Sequence, residues 1–241
     1  MPRRPSRDRL LQRLARCSVG LALFGLGISM FVTAGLGLAP WDVLHQGVAR
    51  HTGLSLGWVI EIVGILLLLL WIPLRQRPGA GTILNALEIG LVVNLIGDHL
   101  PSSDLLVPRL AYVVGAVVVI AVGSGLYIGA GLGTGPRDGI MVGLAARGYS
   151  VRVVRTALEA LVMVAGFALG GHIGVGTVAF MVGIGPLVHL TVPSMAMKEI
   201  PSDAWRGGEG SARDEPHGGR DQSERRERRS NPTTNNGNAT A

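Results

Sequence analysis

Apolar residues are gathered into six long runs, roughly 17–38, 54–74, 81–97, 109–131, 153–171 and 175–195. Each approaches the ~20 residues a helix needs to cross a hydrocarbon core of ~30 Å. Open loops cannot satisfy their backbone in lipid, so the runs predict an all-α fold, a polytopic membrane bundle of about six transmembrane helices. Polar residues separate the runs and cluster at both ends. Residues 1–16 carry six arginines against Asp8 and read as a basic cytoplasmic arm. From about 198 apolar residues become scarce, and 198–241 reads as a disordered cytoplasmic tail. The first run, behind its arginines, imitates a secretory signal peptide. It is long for one, Pro40 follows the best small-residue cleavage site, and the same segment recurs later in the chain.

That recurrence organises the rest. At an offset of 96, positions 27–49 and 123–145 share nine identities in 23, including Ala-Gly-Leu-Gly-x-x-Pro-x-Asp at 34–42 and 130–138. A one-residue deletion then shifts the offset to 95, where Gly79, Gly81 and Thr82 meet Gly174, Gly176 and Thr177. Two repeats follow, 17–98 and 109–195, with three spans each. An odd number of spans makes the second copy enter from the opposite side, the inverted-repeat pattern of many transporters. Small residues spaced by four (Gly25, Ser29, Thr33, Gly37, with partners Ala121, Gly125, Gly129, Gly133) predict a close crossing of the first span of each repeat near the pseudo-two-fold axis.

Charge sets the orientation. With the N-terminus in the cytoplasm, 20 of the 22 basic residues fall inside, and the outside pieces hold Arg50 and Arg109. Without the tail the split is still 12 to 2, which the positive-inside rule reads as both termini cytoplasmic. Trp41 and Arg137, at matched repeat positions, then suit an outer interface belt and the cytoplasmic side. The basic arm suits anionic lipid at the bilayer surface. The basic surplus is a short arm and not a face interleaved with aromatics, so nucleic acid is not an expected partner. Arginine outnumbers lysine 21 to 1, a bias of GC-rich bacterial genomes.

Candidate chemistry is sparse. The single Cys17 excludes an internal disulfide and a thiolate metal site. HExxH, CxxC and P-loop patterns are absent from the sequence, so neither an enzyme, a metal nor a cofactor is expected. Gly35, Gly37 and Pro40, and again Gly131, Gly133 and Pro136, form a helix-break motif. Proline suits the first turn of a new short helix, and Asp42 and Asp138 then stand where the dipole favours a carboxylate. One reading makes these interfacial helices with an acidic start. The other makes them re-entrant or broken helices lining a solute site. Inside the spans lie Glu61, Asn85, Glu88, Asn94, Arg155, Glu159 and His189. Such residues are costly in lipid and are candidates for a substrate or ion pathway. Glu61 and Glu159 fall one turn apart in the repeat frame and are expected to face similar places. Arg155 and Glu159 also suit simple i,i+4 pairing.

Several strings in order, among them Ala34-Gly35-Leu36-Gly37-x-x-Pro40-Trp41-Asp42, Trp71-Ile72-Pro73-Leu74-Arg75-Gln76-Arg77-Pro78-Gly79 and Gly125-Leu126-Tyr127-Ile128-Gly129-Ala130-Gly131-Leu132-Gly133-x-Gly135-Pro136-Arg137-Asp138, resemble the bacterial YczE/YyaS/YitT-type membrane protein family, and most of all its YczE members. The resemblance spans about 17–195 and implies a bacterial plasma-membrane protein without assigned chemistry. Two function classes are then in play, a transporter of a small solute or ion and a non-transporting accessory or scaffold protein. A homodimer is compatible with both. A reporter fused after Ala241 is expected to score cytoplasmic and one at Ser102–Ser103 external. The same side for both would remove the odd-span argument.

Overall fold

The computed structural model describes residues 7–197, with side chains from Leu10 onward. Residues 1–6 of the basic arm and the tail at 198–241 lie outside the described residues. The described chain is all helical: α1 (Arg7–Ala34), α2 (Pro40–Thr52), α3 (Leu56–Leu74), α4 (Ala80–Ile96), α5 (Leu106–Gly129), α6 (Pro136–Ala145), α7 (Val151–Ala168) and α8 (Val175–Met195), with one 3-10 turn at Gly97–His99. The second half of the basic arm is therefore continuous with α1.

Five helices, α1, α3, α4, α5 and α8, are long and apolar enough to cross a membrane. The run at 153–171 appears as α7, whose 18 residues carry Arg152, Arg155 and Glu159. The outer surface agrees with a lipid surround. Helix α3 exposes Ile62, Ile65, Leu66, Leu69, Leu70 and Ile72, and α8 exposes Val178, Met181, Val182 and Leu190. Apolar surface this continuous is not stable in water.

The two halves repeat one element order: a long helix, a short proline-headed helix, and two further long helices. Each long first helix stops at a glycine-rich break. Gly35 and Gly37 have φ of +59° and +108°, and Gly131 and Gly133 +67° and +127°. These backbone angles strain a residue with a Cβ. The breaks are held by the opposite half. Gly81 N–H at the start of α4 donates to Leu132 O at 2.9 Å, and Gly176 N–H at the start of α8 donates to Leu36 O at 2.7 Å. Thr82 and Thr177 accept the N–H of Gly79 and Gly174, each at 3.2 Å.

Helices α1 and α5 cross through glycine. A Cβ on Gly20 would meet Gly123 O, one on Gly123 would meet Gly20 O and Phe24 N, and one on Gly27 would meet Ile120. The stripe of small residues spaced by four does a different job from the one expected of it. Gly25 packs on Ile89 and Val92 of α4, and Gly125 and Gly129 pack on Thr191 and Met195 of α8. Thr191 Oγ1 adds a hydrogen bond to Ala121 O at 2.8 Å. The stripe seats α4 on α1 and α8 on α5, while the crossing at the axis uses a neighbouring face. Periodicity marks a close contact without naming the partner.

The short helices are exchanged between halves. Helix α2 packs on α7, with Gly47 against Gly166 O and Leu169, and Arg50 donating to Gly170 O. Helix α6 packs on α3, with Gly139 against the Trp71 ring, Trp71 Nε1 donating to Pro136 O at 2.9 Å, and Arg147 donating to Pro73 O at 2.7 Å.

Two arginines close the helix ends reciprocally. Arg109, at the start of α5, donates through Nε to Ala34 O at 2.7 Å and through Nη2 to Gly35 O at 3.0 Å. Arg13, 96 residues earlier, donates through Nη1 to Ala130 O at 3.0 Å. Both alanines are fully buried. Arg16 similarly donates to Met195 O at 2.6 Å. Arg13 and Arg16, counted with the basic cytoplasmic arm in the sequence, thus hold backbone at helix ends. Hydrogen bonds from a charged donor contribute about 1.5–3 kcal/mol, so Arg109→Ala is expected to lower stability by that order in a detergent melt. Arg13→Ala should cost less, because its buried Nε has no partner among the described residues. The double variant should show the sum, since the sites are remote. Unchanged melting of Arg109→Ala would mean that the α1 terminus needs no side-chain cap.

Candidate functional site

The first turns of α2 and α6 meet in the interior. Pro heads both helices, the preceding Ala39 and Gly135 are extended, and Asp42 and Asp138 sit in the first turns. Trp41 is 6% exposed, and the Arg137 guanidinium lies 5.7 Å from the ring centroids of both Trp41 and Phe24. This corrects the expectation that Trp41 belongs to an outer belt and Arg137 to a cytoplasmic surface. The two matched positions are neighbours. An Arg over two aromatic faces is a favourable cation–π arrangement, worth more where water is scarce.

Two cavities flank this contact. The smaller, about 30 Å³, is lined by Ile28, Asp42, His45, Ile60, Gly64, Asn85 and Ile89, with Trp41, Pro136 and Arg137. The larger, about 160 Å³, is lined by Ser124, Asp138, Met141, Arg155, Glu159, Phe180 and Ile184, with Arg137, Pro40 and Trp41. In the repeat frame these two sets correspond position by position. Ile28 matches Ser124, Asp42 matches Asp138, His45 matches Met141, Ile60 matches Arg155, Gly64 matches Glu159 and Asn85 matches Phe180. The same place in each half is hollow, and the chemistry is unequal. The larger cavity also receives Phe24, Ile120 and Tyr127.

The sequence-derived candidates divide accordingly. Asp42 and Asn85 line the smaller cavity, and Asp138, Arg155 and Glu159 the larger, so the two aspartates do not share a site. Asp42 is 3% exposed and accepts from or pairs with His45 Nδ1 at 3.2 Å. Tyr127 OH donates to Asp138 Oδ2 at 3.4 Å. Arg155 Nε and Glu159 Oε1 are paired at 3.0 Å on one face of α7. Glu61 lines neither cavity and lies over Gly90 of α4. The equivalent of Glu159 is Gly64, so the expected likeness of Glu61 and Glu159 does not hold; a shift of three residues turns a side chain to a different neighbour. Glu88 sits beside Ser18 of α1. Asn94 Oδ1 accepts Gly57 N–H at 3.1 Å at the start of α3, and His189 is exposed on α8. Among the described residues no group of His, Cys, Asp and Glu is placed to hold a metal.

Sequence reasoning passed over Arg137, Ser124 and Tyr127 as cavity residues, and the Arg13/Arg109 pair. The pair had a signal: Arg13-Leu14-Ala15 and Arg109-Leu110-Ala111 extend the repeat at the same offset of 96. Replacement of Asp42 and Asp138 by Asn separates capping from chemistry. Asn still serves a helix start, so protein level should hold, with a cost of about 0.3–1 kcal/mol for the lost dipole interaction. Complementation of a deletion phenotype is expected to fail for at least one of the two. Full complementation by both would reduce the aspartates to helix starts.

Comparison with known proteins places the chain in a lineage without assigning it chemistry. An uncharacterized protein of Haemophilus influenzae is 39% identical over 183 residues, covering 75% of this chain and 84% of that protein. The uncharacterized membrane protein YczE of Bacillus subtilis is 31% identical over 177 residues, covering 72% and 82%. The uncharacterized protein YyaS of the same organism is 29% identical over 183 residues, covering 73% and 90%. No solved structure matches. The match to the family of unknown function DUF6198 runs over residues 11–193, from the start of α1 almost to the end of α8, and the chain belongs to that family.

Proposed function

We propose that this chain is a small-solute or ion transporter of the bacterial plasma membrane, built as two inverted halves that open their cavities alternately to opposite sides. The observation that carries the reading is the pair of cavities lined by equivalent positions of the two halves and parted by Trp41 and Arg137. In this reading α7 is the sixth crossing, its charges turned toward the larger cavity or the interface. Helices α2 and α6 are re-entrant. At 1.5 Å per residue, thirteen and ten residues span only ~20 and ~15 Å, about half of a ~30 Å core. Each starts at mid-depth, where backbone that is not helical is tolerated because it lines a cavity, and returns to the side from which the chain came. With the N-terminus cytoplasmic, the larger cavity faces the cytoplasm and the smaller one the outside. Their unequal volumes correspond to one side open and one closed.

The accessory reading draws on the pairing of Asp42 with His45 and of Arg155 with Glu159, which leaves these groups quiet. Thiol accessibility decides between the two. In a Cys17→Ser background, Met141→Cys is expected to react with a membrane-impermeant maleimide from the cytoplasmic face and His45→Cys from the external face, the latter more slowly. Labelling of both from one side would end the inverted-halves reading. Protection of both in well-accumulated protein would favour the accessory role.

A further inference from the structure

The seam between α3 and α4 is closed, and the matching seam between α7 and α8 is open. In the first half, Gly57 and Gly64 of α3 lie against Gly90 and Ala86 of α4, where added Cβ atoms would meet Gly90 O and the Ala86 side chain. Asn94 Oδ1 takes the Gly57 N–H across the same seam at 3.1 Å. In the 95-residue frame the counterparts are Arg152 and Glu159 on α7, and Gly185, Met181 and His189 on α8. These two helices do not pack on each other along their lengths. A Cβ on Gly185 would meet no atom within 4 Å, Met181 is 51% exposed where Ala86 is 3%, and Arg152 and His189 are exposed. The opening is written into the residues. A guanidinium arm, a carboxylate and a thioether stand where close packing uses two glycines and an alanine, so α7 cannot seat on α8 as α3 seats on α4.

The open seam runs into the larger cavity, which Arg155 and Glu159 of α7 line from one edge and Phe180, Ile184 and Val188 of α8 from the other. The side chains of Arg155 and Glu159 are 58% and 31% exposed. At 1.5 Å per residue, Glu159 lies ~12 Å along α7 from its start, near the middle of a ~30 Å core. An ion pair this deep and this open is costly beside acyl chains alone and calls for a polar guest. The cavity of about 160 Å³ has room for roughly half a dozen heavy atoms, enough for a headgroup and too few for its chains, which the seam leaves in the bilayer. The charged walls, Arg137, Arg155, Asp138 and Glu159, sum to zero. A guest with a net charge would be left unbalanced there, whereas one carrying both signs meets both. We infer that the α7–α8 seam is a lateral portal through which a zwitterionic phospholipid of the cytoplasmic leaflet places its headgroup in the larger cavity, its acyl chains lying outside over Gly185 and Met181. A second copy of the chain fits the seam less well, since a two-fold contact would bring the exposed arginines of both copies together. The inference narrows the solute of the transport reading to an amphiphile and rests on that reading for its leaflet and biological sense, while the binding event can be tested separately.

The test uses the full chain purified in detergent at neutral pH, with lysophosphatidylethanolamine, lysophosphatidylglycerol and tail-free glycerophosphoethanolamine as probes in thermal unfolding. Lysophosphatidylethanolamine is expected to raise the melting temperature saturably and the other two to leave it unchanged. Gly185→Phe fills the seam where there is free space, so it should fold and weaken that binding roughly tenfold or more. Gly90→Phe, at the packed counterpart, should fail to accumulate. Glu159→Gln leaves one positive charge in excess and should shift the preference toward lysophosphatidylglycerol. The selectivity among the three probes is read on the wild-type chain, so it holds even if a variant does not fold. Equal stabilisation by the tail-free headgroup overturns the lateral route, and equal stabilisation by lysophosphatidylglycerol overturns the zwitterionic class. Unchanged affinity in folded Gly185→Phe overturns the seam, as does equal accumulation of Gly185→Phe and Gly90→Phe. Unchanged preference in folded Glu159→Gln overturns the placement of the headgroup. Dimerisation lost in Gly185→Phe, without lipid binding, overturns the portal in favour of a second copy. Assays in proteoliposomes separate the two ideas. Lysophosphatidylethanolamine binding without its movement across the bilayer supports the portal and overturns transport. Flux of a water-soluble solute without lysophosphatidylethanolamine binding overturns the portal and leaves transport standing.

Discussion

A helix that stops inside an apolar surround leaves carbonyls and amides that water cannot reach, and this protein is arranged around supplying their partners. Helix α1 ends at Ala34 and α5 is capped at Ala130, both fully buried. Their terminal carbonyls are met by Arg109 and Arg13, and the loops beyond them by Gly176 and Gly81. Each partner comes from the other half of the chain. Neither half can therefore satisfy its own breaks alone. That interdependence explains why the short helices are exchanged, α2 lying on α7 and α6 on α3. The breaks bring α2 and α6 into the interior, and the caps from the opposite half keep them there.

Close approach of helices follows from the same surround. Lipid tails are as apolar as leucine, so association depends on contact area and on backbone proximity. Glycine is placed at each crossing: Gly20, Gly27 and Gly123 between α1 and α5, Gly57 and Gly90 between α3 and α4, and Gly47 and Gly166 between α2 and α7. A Cβ at any of these would meet neighbouring backbone or side-chain atoms below normal contact distance. The high glycine content is thus a property of interfaces, and the large side chains are turned outward.

The two halves share one frame and carry two chemistries. The frame includes the break, the proline-headed helix, the aspartate and the hollow beside it. The contents differ: His45 against Met141, Gly64 against Glu159, Ile60 against Arg155, and Trp41 against Arg137. The larger cavity is the more charged, with Arg137, Asp138, Arg155 and Glu159 on its walls, where the smaller has Asp42, His45 and Arg137. Because Trp41 and Arg137 touch, the two copies of one repeat position form the partition between the cavities. A change in either is felt on both sides of it.

Local features were legible in the sequence by itself. Apolar runs of membrane-spanning length reported five of the long helices, since length and hydropathy are properties of a segment. The Gly-Leu-Gly-x-x-Pro string reported the breaks at 35–39 and 131–135, because φ above zero and a missing N–H are requirements of single residues. The internal repeat followed from comparison of the chain with itself. What only the tertiary structure decided were the partners across ~100 residues of chain. The small-residue stripe showed that α1 and α5 would be approached closely, yet α4 and α8 fill that role. Glu61 and Glu159, one turn apart in the repeat frame, part company because a turn of register redirects a side chain. Trp41 and Arg137 read as residues of opposite surfaces and are in contact, since the breaks carry both first turns into the interior. Arg13 and Arg109 read as topological charge and serve as caps. Helical periodicity specifies which face is packed; which neighbour occupies it depends on how two halves of one chain close around each other.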